Sequence, residues 1–521
     1  MVAMVLSGLL LAGCEVEDDS DTIRAVMHAD LQSLDPIVTT MGIVQRHALL
    51  VYDTLFARDA EQRPQPQMVE TWTVSEDGTE WTFTLRPGLL FHDGTPVTAI
   101  DVVASLERWG ARDAYGRQML AITENLGILD DRTVRWKLSR PFGLMLQALS
   151  KTGGPIPVIM PERLARTDPS TPVREVIGSG PFEFVAEQWV PGGQVVYRRF
   201  ADYRPRPEPA SGTAGGKHAR VERVEWLNIR DPQSAVLALA AGEIDLVENP
   251  AVEFLPLLRR EGLQITRTDP LGTQGMLRMN HLHPPFDDPR ARQALLYAID
   301  QAEILQAMFG DPAITQVCHA FFVCGSPLAS SAGVPAGIGN DPERARALLA
   351  ESGYDGRPII TLHPTDILFM NIATLVLAEQ LRDVGFNIEL VAMDFGTLAA
   401  RRSNRAAPEA GGWHLGLTYW PGINIADPVG NIMLHASCER AWPGWPCDAD
   451  HQALIGQFAA VTSDEQRLKL AEAIQQSAYE LVPYVLIGQW TLPIATSPRI
   501  EGLLETPGTT VFWNLDKQPR S

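Results

Sequence analysis

The run DPQSAVLALAAGEIDLV (231–247) decides the fold class. Asp231 can accept hydrogen bonds from the free N–H groups of a first helical turn, and Pro232 fits that turn because its missing donor would have no partner there. Val236, Leu237, Leu239 and Ala240 predict an apolar helical stretch that stops at Gly242 and passes straight into a strand at Ile244-Asp245-Leu246-Val247. The same punctuation recurs along the chain. Asp288-Pro289 opens a helix through Leu295, Ala298 and Ile299, and Asp341-Pro342 opens another through Ala345, Leu348 and Leu349 to Gly353. A further helix around 372–384 ends at Gly385 and is followed by the alternating strand Phe386, Ile388, Leu390. Helices alternating with strands predict an α/β body.

One region follows a different rule. Val69 to Val74 and Glu80 to Leu85 alternate as strands across the turn Glu76-Asp77-Gly78, with Trp81, Phe83 and Leu85 on one face. Thr98 is placed to cap a helix bearing Val102, Val103, Leu106 and Trp109, with Asp101 completing a variant capping box. Val134, Trp136 and Leu138 add another alternating strand. A small α+β subdomain is expected from about 59 to 176, inserted in the larger body.

The length of 521 residues predicts two or three domains, each able to bury a core. Lys+Arg at 43 against Asp+Glu at 63 leaves a net charge of −20, which repels phosphate backbones and makes nucleic acid an unsuitable partner. No run of 18 apolar residues is present to span a bilayer. Met4 to Ala12 is an apolar run of signal-peptide length ending in Leu11-Ala12-Gly13-Cys14 before an acidic stretch. It resembles the lipobox of bacterial lipoproteins, although a basic leading region is missing. That resemblance implies residues 1–14 as an export signal and acylation of Cys14, giving an exported, lipid-anchored periplasmic protein. Four cysteines remain, Cys318 with Cys324 and Cys438 with Cys447. Spacings of six and nine residues do not form zinc knuckles, and an even count in an oxidising compartment predicts two local disulfides, with free buried thiols as the alternative.

Longer motifs carry a family resemblance. SLDP (33–36), VYDTLF (51–56) and LRPGLLFHDGTPVTAIDVVASLERW (85–109) resemble the family 5 extracellular solute-binding proteins, the dipeptide/oligopeptide-binding class of ABC importers. GSGPFEFVAEQWVPG (178–192), LALAAGEIDLVENP (237–250), LRMNHLHPPFDDPRARQALLYAID (277–300) and DPERARALLAESGYDGRP (341–358) continue the match in order. The resemblance implies a two-lobed periplasmic-binding-protein fold that closes on a solute and delivers it to a membrane permease with its ATPase subunit. Lobe I would comprise 22–58, 177–268 and 486–521, with 59–176 as its extra subdomain, and lobe II would run from 269 to 485. Two crossover strands near Leu271 to Asn280 and Pro483 to Gln489 would form the hinge. The Pro/Gly/Ser-rich stretch from Arg204 to Gly216 reads as a surface loop.

Interlobe clefts are mostly apolar and aromatic, with a few polar groups that orient the ligand. Trp413, Tyr419, Trp420 and Trp490 are aromatic candidates for such a wall. The segment Tyr419-Trp420-Pro421-Gly422-Ile423-Asn424-Ile425-Ala426-Asp427-Pro428 resembles the family's ligand loop. There, peptide-binding members carry an acidic residue that pairs with the peptide α-ammonium. Here that position falls at Ile423 or Asn424, and Asp427 is either a ligand group or a structural cap. Peptide binding is therefore in question, and another small solute fits equally well. Thr39, Thr40 and Met41 occupy a position where family members bring backbone and small polar groups to the ligand. Arg401, Arg402 and Arg405 could pair with a carboxylate or form a solvated face.

No nucleophile elbow, zinc-protease helix or phosphate-binding loop occurs, so no catalytic residue, metal or cofactor is expected. His281 and His283 could share one side of a strand, which keeps a metal- or haem-binding member of the same fold as an alternative; a periplasmic hydrolase is a weaker one. The sequence reads as a monomeric substrate-binding component of an ABC importer for a peptide or peptide-sized metabolite, with no chemical step of its own.

Overall fold

Residues 19–519 are described by the computed structural model, so the signal segment and Cys14 lie outside the described residues. The helix-to-strand reading of 231–247 is realised: Asp231 Oδ2 accepts from Ser234 N at 2.7 Å, the helix spans Pro232–Ala240, and the strand is Leu246–Glu248. That strand lies parallel to Thr22–Val26, which in turn lies parallel to Arg223–Leu227. The complete sheet has seven strands in the order Gln264–Thr266, Ile494–Thr496, Leu246–Glu248, Thr22–Val26, Arg223–Leu227, Gln194–Arg199 and Phe182–Phe184.

A second sheet of six strands contains Thr315–Gln316, Tyr484–Trp490, Thr273–Met279, Leu415–Pro421, Ile359–Pro364 and Ile388–Met393 in that order. Its flanking helices start as the sequence implies. Asp288 Oδ1 accepts from Arg290 N at 2.7 Å, and Asp341 Oδ1 accepts from Arg344 N at 2.9 Å. The helix expected from 372 starts one turn earlier, as Leu368–Asp383.

The inserted segment builds its own four-stranded antiparallel sheet, ordered Val69–Val74, Glu80–Leu85, Thr133–Leu138, Thr123–Asp130. Gly78 supplies the positive φ of 70° that the turn between its first two strands requires. The backbone N–H and the hydroxyl of Thr98 both donate to Asp101 Oδ2, at 2.9 and 2.8 Å, which fixes the start of the helix Ala99–Gly110. Phe83, Val134, Trp136 and Leu138 seal that helix onto the sheet.

Three expectations need correction. The two crossover strands do not pass between the large sheets: Thr273–Met279 and Tyr484–Trp490 pair with each other over their length in the six-stranded sheet. The chain changes sheets instead in the short segments 267–272 and 491–493, so residues 486–490, expected to group with 22–58 and 177–268, lie in the six-stranded sheet with the rest of Tyr484–Trp490. The stretch from Arg204 to Gly216 is not a simple surface loop, because residues 212–217 turn inward. Thr213 N donates to Arg58 O at 2.8 Å, and Lys217 Nζ pairs with buried Asp53 at 2.7 Å. The glycines of this stretch permit that close backbone packing, which composition alone reads as solvent exposure. Both expected disulfides form, Cys318 with Cys324 and Cys438 with Cys447.

Asp269 sits in the first sheet-changing segment, and its carboxylate accepts from Leu271 N at 3.0 Å and Gly272 N at 2.9 Å. Burial pushes its carboxyl up to about 6, against the pull of neighbouring backbone N–H groups. A carboxyl whose folded-state pKa exceeds its unfolded value holds its proton longer in the native state. Stability from this group is therefore lost as pH rises from about 4 to about 6. Asp269→Asn removes the titration. Urea melts of both proteins at pH 4 and pH 7.5 should show the variant gaining roughly 1–2 kcal/mol relative to wild type at the higher pH, after allowance for partial exposure. Parallel pH profiles would contradict this.

Candidate functional site

Between the inserted subdomain and the six-stranded half lies a cavity of about 360 Å³. Its walls come from four places in the chain. The first is Ile37 to Thr40, which follows the SLDP motif. Asp35 fixes this segment by accepting from Ile37 N at 2.9 Å while its carboxylate holds buried Arg108 at 3.2 and 2.7 Å. Thr39 Oγ1 accepts from Met41 N at 3.2 Å, and the Gln45 amide donates to Thr40 O at 3.0 Å. The helix Gly42–Val51 then leads away from the cleft.

Arg58 forms the second wall, at the end of the strand Phe56–Arg58, with its backbone clamped by Thr213 and its Nη2 donating to Gln147 O at 3.1 Å. Its Nε is buried and has no hydrogen-bond partner. The third wall contains Arg112 to Arg117 and Lys151 to Pro155. Asp113 Oδ1 caps the helix Ala114–Ala121 by accepting from Tyr115 N and Gly116 N, at 2.9 and 3.3 Å, while Oδ2 pairs with Lys151 Nζ. Lys151 Nζ also stands 5.3 Å over the Tyr115 ring.

The fourth wall is Trp420, Ile423, Asn424, Gly430 and Ile432 from the opposite half. Trp420 closes the strand Leu415–Pro421, opposite Gln274, and its indole N–H is buried without a partner. The halves touch around the cavity. The Tyr115 hydroxyl donates to Asp427 Oδ2, and burial first, then the Asp427 charge, pushes the Tyr115 phenol well above its ordinary value, so it stays a donor. Gly153 abuts the Asn424 amide so closely that a Cβ there would lie 2.7 Å from Asn424 Cγ, and closer still to Oδ1. Further along the rim, Gly143 N donates to Ala459 O at 3.0 Å and Arg467 Nη2 donates to Gly143 O.

The structure places Thr39, Thr40, Trp420 and Asn424 in the cavity wall. It does not place Met41, Trp413, Tyr419, Asp427 or Trp490 there. Met41 is 45% exposed as the cap of the following helix. Tyr419 takes the opposite strand face from Trp420, as the period of two demands, and packs on Phe369 with ring centroids 5.2 Å apart. Trp413 is fully buried, donating to Arg402 O at 2.9 Å and lying beside Trp445. Trp490 is buried against Phe309 and Phe369. Asp427 stands behind the wall, where Oδ1 accepts from Val429 N and Gly430 N at 2.9 and 3.0 Å and Oδ2 accepts from the Tyr115 hydroxyl.

Arg401, Arg402 and Arg405 lie elsewhere as well. Arg401 donates to the carbonyls of Gly411 and Gly412, Arg402 lies 4.2 Å over the Trp442 ring, and Arg405 lies 5.1 Å over Trp445. His281 abuts the backbone of Val482 and Pro483, whereas His283 Nε2 faces Arg405 O at 3.1 Å, so the two rings do not converge. Among the described residues no group of three or more His, Cys, Asp or Glu could hold a metal ion. Sequence reasoning missed Arg58, Arg112, Asp113, Tyr115, Arg117 and Lys151. The one local signal was Lys151-Thr152-Gly153-Gly154-Pro155, where paired glycines mark a close backbone approach.

The model of the bacterial extracellular solute-binding proteins, family 5 Middle, matches residues 63–441. The chain belongs to this family. A probable peptide ABC transporter periplasmic-binding protein, y4tO of Sinorhizobium fredii, is 38% identical over 522 residues, covering 99% of this chain and 97% of the relative. The glutathione-binding protein GsiB of Shigella flexneri is 27% identical over 532 residues, covering 98% and 96%. Among solved structures, the binding protein AgaA of A. tumefaciens in complex with agropinic acid shares the fold, with a TM-score of 0.79 at 22% identity over 96% of this chain and 99% of that one. As a family 5 binding protein the chain is the substrate-binding component of an ABC importer and has no chemical step of its own. Among its described residues no helix is long and apolar enough to cross a membrane.

Proposed function

We propose that this family 5 protein captures a small, peptide-sized solute in the cavity between the inserted subdomain and the six-stranded half, and hands it to a permease with its ATPase subunits. Acylation at Cys14 would hold it at the outer face of the cell membrane. The observation that carries the reading is the composition of the cavity wall. Residues from both sides of the cleft enclose about 360 Å³, and two buried donors on wall residues, Arg58 Nε and Trp420 Nε1, lack any partner. An unmatched buried donor costs free energy until an acceptor arrives. A solute that satisfies donors on both sides has higher affinity for the closed arrangement than for an open one, which is the requirement for closure on binding. The relatives named for peptide and for glutathione support a solute of this size.

Mass spectrometry of small molecules released from the purified protein, followed by calorimetry with what is found, tests the reading. Trp420→Ala removes the aromatic anchor and one unmatched donor, and should weaken binding at least tenfold, by about 1.4 kcal/mol or more, with little change in melting temperature. Unchanged affinity in that variant would move the solute out of this cavity. Loss of solute import on deletion of the protein distinguishes a transport role from a sensing role.

A further inference from the structure

We infer that the solute is anionic: a small molecule with two or more carboxylates and no free ammonium that must be buried. This rests on the proposed cavity and adds the charge of its occupant. On a chain with a net charge of −20, the cavity wall reverses the sign. Arg58, Arg112, Arg117 and Lys151 line it, against the single carboxylate of Asp113. That carboxylate is fully engaged by Lys151 and by the first turn of its own helix. Among the described residues, no carboxylate lies within ion-pairing distance of Arg58, Arg112 or Arg117, so the charge of these three cavity-lining groups is not cancelled by an acidic side chain. Cations left unpaired around a cavity, on an otherwise acidic protein, raise the local concentration of anions and orient them.

The hydrogen-bonding inventory points the same way. Arg58 Nε and Trp420 Nε1 are donors awaiting acceptors. Guanidinium groups match carboxylates through paired N–H donors. A buried ammonium finds the opposite situation. Asp427, the one acidic residue of the segment 419–428, stands behind the wall and is engaged by Tyr115 and two backbone N–H groups. Ile423 and Asn424, which line the cavity beside Trp420, carry no charge. A solute whose amine is absent, acylated or directed into solvent avoids that mismatch.

Calorimetry with four probes tests the inference: N-acetyl-aspartyl-glutamate, aspartyl-glutamate, alanyl-alanine and lysyl-lysine. The acidic probes should bind, the N-acetylated one at least as tightly as its free amine, with lysyl-lysine at least 100-fold weaker. The double variant Arg112→Gln/Arg117→Gln, altered at two exposed positions, should bind the acidic probes about 10- to 100-fold more weakly, with a shallower dependence on salt. Equal or tighter binding of alanyl-alanine or lysyl-lysine, or no binding of either acidic probe, overturns the charge assignment. The two readings fail separately. If Trp420→Ala abolishes binding of the acidic probes while the arginine variant leaves it intact, the cavity stands and the charge inference falls. If neither variant alters their binding, the cavity reading itself falls.

Discussion

Gly153→Ala should lower solute affinity by about 10- to 100-fold, the effect of roughly 1–3 kcal/mol of overpacking applied to the closed arrangement alone. The added methyl would meet the Asn424 side chain at 2.7 Å from Cγ, below any ordinary carbon contact. The other nearby atoms are also those of the Asn424 amide, so the clash is with one side chain across the cleft and not with the local fold. An open protein escapes it, and melting temperature without solute should move little. Double-mutant analysis isolates the contact. In the Asn424→Ala background the Gly153→Ala change should cost almost nothing, because the obstructing amide is gone. Additive losses would show that Gly153 matters for a reason other than the approach of the two halves.

Asp35→Ala should destabilise the protein by about 3–5 kcal/mol, the range for breaking a buried ion pair from one side. Both side chains of the Asp35–Arg108 pair are at most 1% exposed. Removing the carboxylate leaves a buried guanidinium uncompensated and strips the acceptor from Ile37 N and Val173 N, which it holds at 2.9 and 2.8 Å. Arg108 also ties down Thr167 O and Thr171 O, so the loss spreads into the subdomain edge. Urea titration at constant pH reads the change in midpoint. The surviving folded protein should also bind solute more weakly, because Asp35 sets the segment that presents Thr39 and Thr40. A loss below 1 kcal/mol would mean that Arg108 finds another partner.

The Asp35–Arg108 pair also shows what the sequence could and could not convey. SLDP (33–36) and ASLERW (104–109) each stand out as motifs, and Asp-Pro before an apolar run locates helix starts at 232, 289 and 342 with the capping bonds then found in place. Local chemistry of this kind is legible because both partners lie within one turn. That Asp35 meets Arg108, 73 positions away, depends on how the inserted subdomain docks. The cavity divides along the same line. Trp420 and Asn424 were legible from the ligand-loop resemblance, and Thr39 and Thr40 from their place after the first strand. Arg58 was not, because it enters the wall through contacts with distant segments, and Lys151 was marked only by the paired glycines that follow it. The burial of Trp413 and Trp490 was not legible, because an aromatic in the sequence suits a core as well as a cleft wall and only tertiary packing shows that both rings are completely or nearly enclosed.

Everything rests on two halves that close over a solute held between Arg58, Trp420 and Asn424. Small-angle X-ray scattering, recorded without solute, with saturating solute recovered from the protein, and on Gly153→Ala at a concentration that saturates it too, tests this most directly. Closure predicts a smaller radius of gyration for the wild type on binding and a smaller contraction, or none, for the variant. Identical profiles for wild type with and without bound solute would contradict it.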